Sequence, residues 1–117
     1  MAWDEALAAR IRADLADHLI IEKRMFGGLA WMLRGNMLCG LIKQAFMFRV
    51  GPELEAEALA RPGAQAMDFT GRRMRGFILV DPDAALDAGL EDWIALAERY
   101  VRALPPKGVK EPRRAVR

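Results

Sequence analysis

The 117 residues leave room for one domain, and a composition of 53% hydrophobic and 29% charged residues excludes general disorder. A single cysteine, Cys39, excludes an intrachain disulfide framework and a cysteine-based metal cluster. The net charge of +2 hides an asymmetry, because residues 107–117 hold five basic groups and one acidic group while the rest holds 13 basic and 15 acidic groups. The body is therefore mildly acidic, which argues against a surface that coats nucleic acid.

The start of the chain does not have the pattern of a secretory signal peptide. Residues 1–12 contain four charged side chains and no long apolar run. No stretch approaches the roughly 20 apolar residues that a membrane helix needs. We therefore expect a cytoplasmic protein without a membrane contact, in a compartment where the lone cysteine stays reduced.

The first 50 residues divide into a helix followed by strands. A helix is predicted over residues 3–18, because apolar residues recur every four positions at Trp3, Leu7, Ile11 and Leu15. Short apolar runs separated by turn signals then predict four strands, near residues 20–26, 29–33, 37–42 and 45–50. Tight turns join antiparallel strands, so we expect a meander.

The second half of the chain is also predicted to contain both helices and strands. A helix is predicted to begin at Gly51-Pro52-Glu53 and to end at Arg61-Pro62-Gly63, since proline suits the first helical position. Two more strands are expected, near residues 66–69 and 74–80. The last helix has a capping signal at Asp81-Pro82-Asp83, a break at Gly89 and an end at Leu104-Pro105-Pro106.

The element order α-ββββ-α-ββ-α predicts an α+β fold in which helices flank an antiparallel sheet. We expect one domain over residues 1–106 and a basic, mobile tail over residues 107–117. The strands are apolar on both faces: Met37, Cys39 and Leu41 point one way, and Leu38 and Ile42 the other. Three helices do not suffice to cover two faces, so we expect the second face to meet another copy of the protein.

Several separated segments of the chain resemble one known family, the TfoX/Sxy competence regulators, in the N-terminal domain. The matching segments are Met25-Phe26-Gly27-Gly28, Gly35-Asn36-Met37-Leu38, Arg49-Val50-Gly51-Pro52, Met67-Asp68-Phe69-Thr70-Gly71-Arg72, Met74-Arg75-Gly76-Phe77, Trp93 and Leu104-Pro105-Pro106-Lys107. The resemblance spans roughly residues 18–107. Arg73 departs from it, because the family pattern has a proline there.

The resemblance implies a two-layer, secretion-chaperone-like α+β fold that is commonly dimeric, and a bacterial regulator without enzymatic activity. It gives Met25, Phe26, Gly27, Gly28, Gly71 and Gly76 a structural role. It also implies a link to transcription, because full-length members resemble co-activators that act beside a cyclic-AMP receptor protein. Those members have a second, C-terminal domain in place of the basic tail.

Three features of the sequence have both a chemical and a structural interpretation. Gly27-Gly28 is either a phosphate-binding loop or a hairpin turn, and the strand that follows favours the turn. Cys39 is either a nucleophile or a packing residue, and its apolar neighbours favour packing. His18 either binds a metal weakly with Asp14 and Asp17 or lies at the surface near a helix end, which we favour. We expect no metal and no cofactor.

The carboxylates and cations of the second half also have two interpretations. Asp81 and Asp83 are expected to start a helix rather than to form a catalytic pair, and Asp68 has no evident role. The candidate contacts for phosphates or an acidic protein are Arg72, Arg73, Arg75, Lys107, Lys110, Arg113 and Arg114. The alternative is a solvated turn and a solubilising tail. Few aromatic residues lie among these cations, so stacking of the bases of a single-stranded nucleic acid on this protein is poorly supported.

Two functions follow from these observations. The first is a non-enzymatic regulatory module that acts through protein–protein contact as a homodimer. The second is a nucleic-acid-associated accessory protein that uses the basic turn and tail, with weak, non-specific binding at most. Seven methionines supply adaptable apolar side chains for a partner, although core filling is their commoner use.

Overall fold

The structure, a computed structural model, describes residues 3–15, 19–25, 27–42, 45–69 and 71–107. Within these ranges it contains helices α1 (Glu5–Asp14), α2 (Glu55–Leu59), α3 (Pro82–Ala88) and α4 (Leu90–Val101), and strands β1 (Ile20–Met25), β2 (Gly28–Leu33), β3 (Asn36–Ile42), β4 (Ala45–Arg49), β5 (Ala64–Phe69) and β6 (Arg72–Val80). The α+β fold and the element order are confirmed. The last predicted helix is divided at Gly89, as the sequence indicated, into α3 and α4.

The helices begin where the sequence supplies capping groups. Asp4 caps α1 by accepting hydrogen bonds from the backbone N–H groups of Ala6 and Leu7. Asp81 caps α3 in the same way, accepting from Ala84, and Pro82 occupies the first turn. These bonds satisfy backbone donors that have no partner inside a helix. The interpretation of Asp81 as a helix-start residue is therefore confirmed.

The six strands form one antiparallel sheet in the order β1-β2-β3-β4-β6-β5. The first four strands are the predicted meander. The β5–β6 hairpin then returns so that β6, and not β5, pairs with β4. This arrangement leaves β1 and β5 as the two edges.

All four helices contribute to one apolar core on a single face of the sheet. From the helices, this core buries Ala8, Ile11, Ala58, Ala85, Leu90, Trp93, Ile94, Leu96, Ala97 and Val101. At its centre the Trp93 ring of α4 stacks on Phe48 of β4, with ring centroids 5.3 Å apart. The expectation that the helices cover only one sheet face is confirmed for the residues that the structure describes.

The β2–β3 turn holds the segment that follows α4. Arg34 and Gly35 both have positive φ, 52° and 84°, as a type I′ hairpin turn requires. The backbone N–H of Lys107 donates to the Arg34 carbonyl oxygen at 2.8 Å, and the Asn36 amide donates to the Pro105 carbonyl oxygen at 2.9 Å. Asn36 is 5% exposed, so its hydrogen bond is sheltered from water. We call this contact the clasp: the turn residues 34–36 with residues 104–107.

The clasp predicts different costs for two glycine substitutions at similar backbone angles. A Cβ on Gly35 would overlap the backbone carbonyl of Lys107, whereas a Cβ on Gly71, at φ 79°, meets nothing within 4 Å. We expect Gly71→Ala to lower the free energy of unfolding by about 1–2 kcal/mol through backbone strain alone. Gly35→Ala adds the loss of the clasp hydrogen bonds and is expected to cost about 2–4 kcal/mol.

Urea denaturation of the two variants and the wild type measures this difference. Equal losses of stability at Gly35 and Gly71 would show that the clasp contributes nothing to the fold.

Candidate functional site: the methionine face and the basic hairpin

The sheet face opposite the helices is covered by its own side chains, most of them methionines. Its cluster is built from strand residues alone: Ala30, Met37, Met47 and Met67 are buried, and Met25, Met32, Ile42, Met74, Phe77 and Leu79 are partly buried. Six of the seven methionines of the chain lie here. We call this surface the methionine face.

Strand alternation explains why the methionines are together. Met47 lies between Phe46 and Phe48, which both point into the helix-side core, so Met47 points to the other face. Met32 has the same relation to Trp31 and Leu33. From the sequence alone, core filling is the favoured interpretation of the methionines. For Met32 and Met47, the signal that could have located them is their position between two large core residues of one strand.

The charges on the methionine face are all positive among the described strand residues. By register, Lys23 lies beside Ala30, and Arg72 shares its face with Met74. Arg49 lies beside Phe77 at the end of β4, where its guanidinium is 5.3 Å from the Phe77 ring centroid and 5.5 Å from the Tyr100 ring centroid of α4. The two strand carboxylates lie on the other face: Glu22 bonds to Trp31, and Asp68 pairs in register with Arg73. A polarizable apolar surface with cations and no carboxylate suits a partner that is apolar and acidic.

The basic run Arg72-Arg73-Arg75 does not form one patch. Arg72 and Met74 share the methionine face, whereas Arg75 lies on the helix side, with its guanidinium 3.8 Å from the buried Glu55 carboxylate. Arg73 pairs in register with Asp68. The Arg75 side chain is 73% exposed, so its ion pair with Glu55 adds little stability.

Lys107 lies at the same end of the sheet as the turn of the β5–β6 hairpin, which we call the basic hairpin because it holds Arg72, Arg73 and Arg75. The clasp fixes its backbone at the β2–β3 turn, and Leu33, Arg49 and the start of β6 mark that sheet end. The other candidate cations of the tail, Lys110, Arg113 and Arg114, fall outside the described residues, as do Phe26 and His18. The structure thus places Arg72, Arg75 and Lys107 on three separate parts of one end.

The glycine pair is a turn and not a phosphate loop. Gly27 has φ 76°, and β2 begins directly at Gly28, so no helix N-terminus follows. A Cβ on Gly28 would overlap the carbonyl oxygen of Leu41 on β3. Gly28 is therefore needed for the close approach of two strands, and the hairpin interpretation is confirmed.

Cys39 lies in the helix-side core and is fully buried. Burial raises the pKa of its thiol far above the usual value, and the nearby negative charge of Glu98 raises this pKa further. A thiol in this environment stays protonated at neutral pH, and the thiolate is the nucleophile. Cys39 is thus a packing residue.

We expect thiol reagents to label Cys39 in the native protein only as fast as the core opens. The same reagent should react at once with the protein unfolded in urea, which serves as the control. Cys39→Ser should lower the free energy of unfolding by about 1–3 kcal/mol, because a buried hydroxyl needs a hydrogen-bond partner. Rapid stoichiometric labelling under native conditions would contradict the packing role.

Metal ligands and carboxylate pairs are the chemical groups to consider among the described residues. No group of three or more metal-ligating His, Cys, Asp or Glu side chains occurs among them. A depression of about 320 Å³ is lined by Asp4, Leu7, Asp81, Pro82 and Asp83. Asp4 and Asp81 already cap helices there, so this depression does not supply a carboxylate pair for acid–base chemistry.

None of the described helices is both long and apolar enough to span a bilayer.

The segments that carry the family resemblance meet in the folded chain at two places. One is the clasp, which joins Gly35-Asn36 to Leu104–Lys107. At the other, the backbone N–H groups of Val50 and Gly51 donate to the carbonyl oxygen of Gly76 at 2.8 and 3.1 Å. A Cβ on Gly76 would come within 2.9 Å of the Gly51 carbonyl carbon, so two matching segments depend on each other for close approach.

Comparison with known proteins identifies a family for the chain. The family model described as the TfoX N-terminal domain matches residues 7–100. No curated protein and no solved structure matches the chain. The match extends from α1 through most of α4, and so covers the whole sheet and its helix layer. The chain belongs to the TfoX N-terminal domain family.

Proposed function

We propose that the protein is a non-enzymatic regulatory module of the competence-regulator type that acts in the cytoplasm by binding another protein. The methionine face is the observation that carries this proposal. It gathers six methionines on a sheet face against which no described helix packs, and its described strand positions include three cations and no carboxylate. Methionine side chains are flexible and polarizable, so they adapt to irregular apolar partners.

The partner that fits this face presents an apolar segment with acidic residues beside it. The apolar part would cover half-buried side chains such as Met32, Met74 and Phe77. The acidic residues would lie near Lys23, Arg49 and Arg72. Complementary charges of this kind mainly set the rate and specificity of association, while apolar burial supplies the affinity.

Affinity capture from cell lysate with defined variants tests the partner proposal. Met32→Glu and Met74→Glu place a carboxylate on the methionine face at half-buried positions. Ala95→Glu places the same group on the exposed side of α4 and is the control. We expect capture of a discrete protein by the wild type and Ala95→Glu, with a loss of at least about tenfold in both methionine variants.

The same capture, repeated after nuclease treatment, separates the two candidate functions. Nuclease-resistant capture supports direct protein binding, whereas nuclease-sensitive capture supports the accessory-protein function. Retention of the same protein by both methionine variants would contradict the role of the methionine face.

The nucleic-acid alternative rests on the end of the sheet where Arg72, Arg75 and Lys107 lie. Arg75 already has Glu55 as a neighbour, and Arg72 and Arg75 lie on opposite faces. A flat phosphate-contact surface would use only one of these two arginines, and both would reach phosphates only if the hairpin entered a groove. The geometry therefore favours protein binding over phosphate binding, and any DNA affinity would fall steeply with salt.

We also propose that the module is a homodimer. In the described part of the chain, Leu19 and Ile21 are the large hydrophobic side chains that remain exposed, at 91% and 64%. Both belong to the edge of the sheet at β1, where association would bury them. Sedimentation at micromolar concentration is expected to give twice the 13.1 kDa mass of the chain. A single species with the mass of one chain would contradict the homodimer.

A further inference from the structure

Strand β1 is an edge of the sheet with an exposed apolar margin. No other described strand pairs with its outer side, which leaves a row of backbone donors and acceptors without a neighbouring strand. Leu19 lies just before β1, and Ile21 lies on its methionine-face side, opposite Met32. The other edge strand, β5, instead exposes the polar side chains of Gln65 and Asp68.

Charged side chains often protect an edge strand, but in β1 Glu22 and Arg24 are directed toward the helix layer, and Lys23 lies on the methionine face. The Glu22 carboxylate accepts hydrogen bonds from Arg12 of α1, at 2.7 and 3.0 Å, and from the Trp31 indole at 2.9 Å. These bonds lower the pKa of Glu22, so the group stays charged at neutral pH. The Arg24 guanidinium lies 5.4 Å from the centroid of the Trp3 ring. These contacts hold both charges on one face and leave the edge available for a strand.

The methionine face is a poorer site for a second copy. Two such faces would bring together the cations Lys23, Arg49 and Arg72 of both copies, without any described carboxylate on the face to balance them.

We propose that the homodimer forms by antiparallel pairing of β1 with β1 of a second copy, about a two-fold axis at Lys23. This inference rests on the proposed homodimer and names its interface. In this register Glu22 lies opposite Arg24 of the second copy, and Ile21 lies opposite its Met25. Each pair occurs twice, because a two-fold interface repeats every contact.

The pairing of opposite charges and the direction of the β1 side chains favour this register over the alternatives. An axis perpendicular to the sheet keeps the helices of both copies on one side and places residues of the same face opposite each other. A two-fold axis at Glu22 would place the Glu22 carboxylates of the two copies opposite each other. An axis at Ile21 would place the apolar Leu19 of one copy opposite Lys23 of the other. The axis at Lys23 gives two opposite-charge pairs on the helix side and two apolar pairs on the methionine face. Its cost is the approach of two Lys23 side chains, which are long and flexible.

The consequence is one continuous sheet that spans both copies. The methionine faces of the two copies then lie side by side and remain open to a partner. A symmetric partner, or one with two binding segments, would contact both faces at once and gain affinity through effective concentration.

Cysteine cross-linking tests the register. Residues opposite each other in an antiparallel pair have Cα atoms about 4.5–5.5 Å apart, within the range of roughly 4.4–6.8 Å that disulfides need. Lys23→Cys should therefore form a covalent dimer under mild oxidation, whereas Gln65→Cys, on the opposite edge strand, is the matched control. Native Cys39 is retained, and the oxidised protein is denatured in excess alkylating reagent, so that Cys39 is blocked as the core opens and does not exchange.

A charge exchange tests the same pairing without a covalent bond. In a homodimer of Arg24→Glu, the new carboxylate lies opposite the Glu22 carboxylate of the second copy. In a homodimer of Glu22→Arg, the new guanidinium lies opposite the Arg24 guanidinium of the second copy. Each variant alone is expected to dimerise about tenfold more weakly than the wild type. Mixed together, they restore both pairs, so a heterodimer should form with an affinity near that of the wild type. Circular dichroism of each variant first confirms that it is folded.

The results separate this inference from the homodimer proposal. A wild type that sediments as a monomer overturns both. A wild type that sediments as a dimer overturns the β1 interface alone if Lys23→Cys does not cross-link, or if Gln65→Cys cross-links in its place. Failure of the mixed charge variants to form the heterodimer, with both folded, also overturns this register.

Discussion

The packing of α4 across the middle of the sheet is the interaction on which the rest of the structure depends. Trp93 is fully buried and stacks on Phe48, and the Arg61 guanidinium covers the indole from another side at 5.0 Å. Burying an aromatic side chain of this size contributes several kcal/mol, of the order of 25 cal/mol per Å² of apolar area. Because α1, α2 and α3 join the same core, the whole helix layer lies on one side.

This one-sided packing leaves the second face of the sheet to its own side chains. The face is not left open, because methionines are long enough to fold over one another and cover the backbone. A surface of this type is stable without a partner and can still rearrange to receive one. The fold therefore combines a rigid helix-side core, built from aromatic and branched side chains, with an adaptable face made from the same strands.

The edge of the sheet adds a third kind of surface, with a different physical basis. The methionine face offers side chains to a partner, whereas β1 offers backbone hydrogen-bonding groups together with Leu19 and Ile21. Backbone pairing suits an identical copy, because strand register and charge repeat by symmetry. An apolar face flanked by cations suits a different, acidic protein. The two surfaces can act together because they do not overlap at the centre of the sheet.

The sequence by itself determined the local structure of this protein. Apolar runs with glycine turns located the strands, Gly89 divided the last helix, and Asp81-Pro82 marked a helix start, because these signals act within a few residues. Only the tertiary structure decided which residues share a surface. It separates Arg72 from Arg75, brings Asn36 to Pro105 and gathers one methionine from each of the six strands. Such contacts join residues far apart in the chain, and strand order and strand pairing set them, which local signals do not encode.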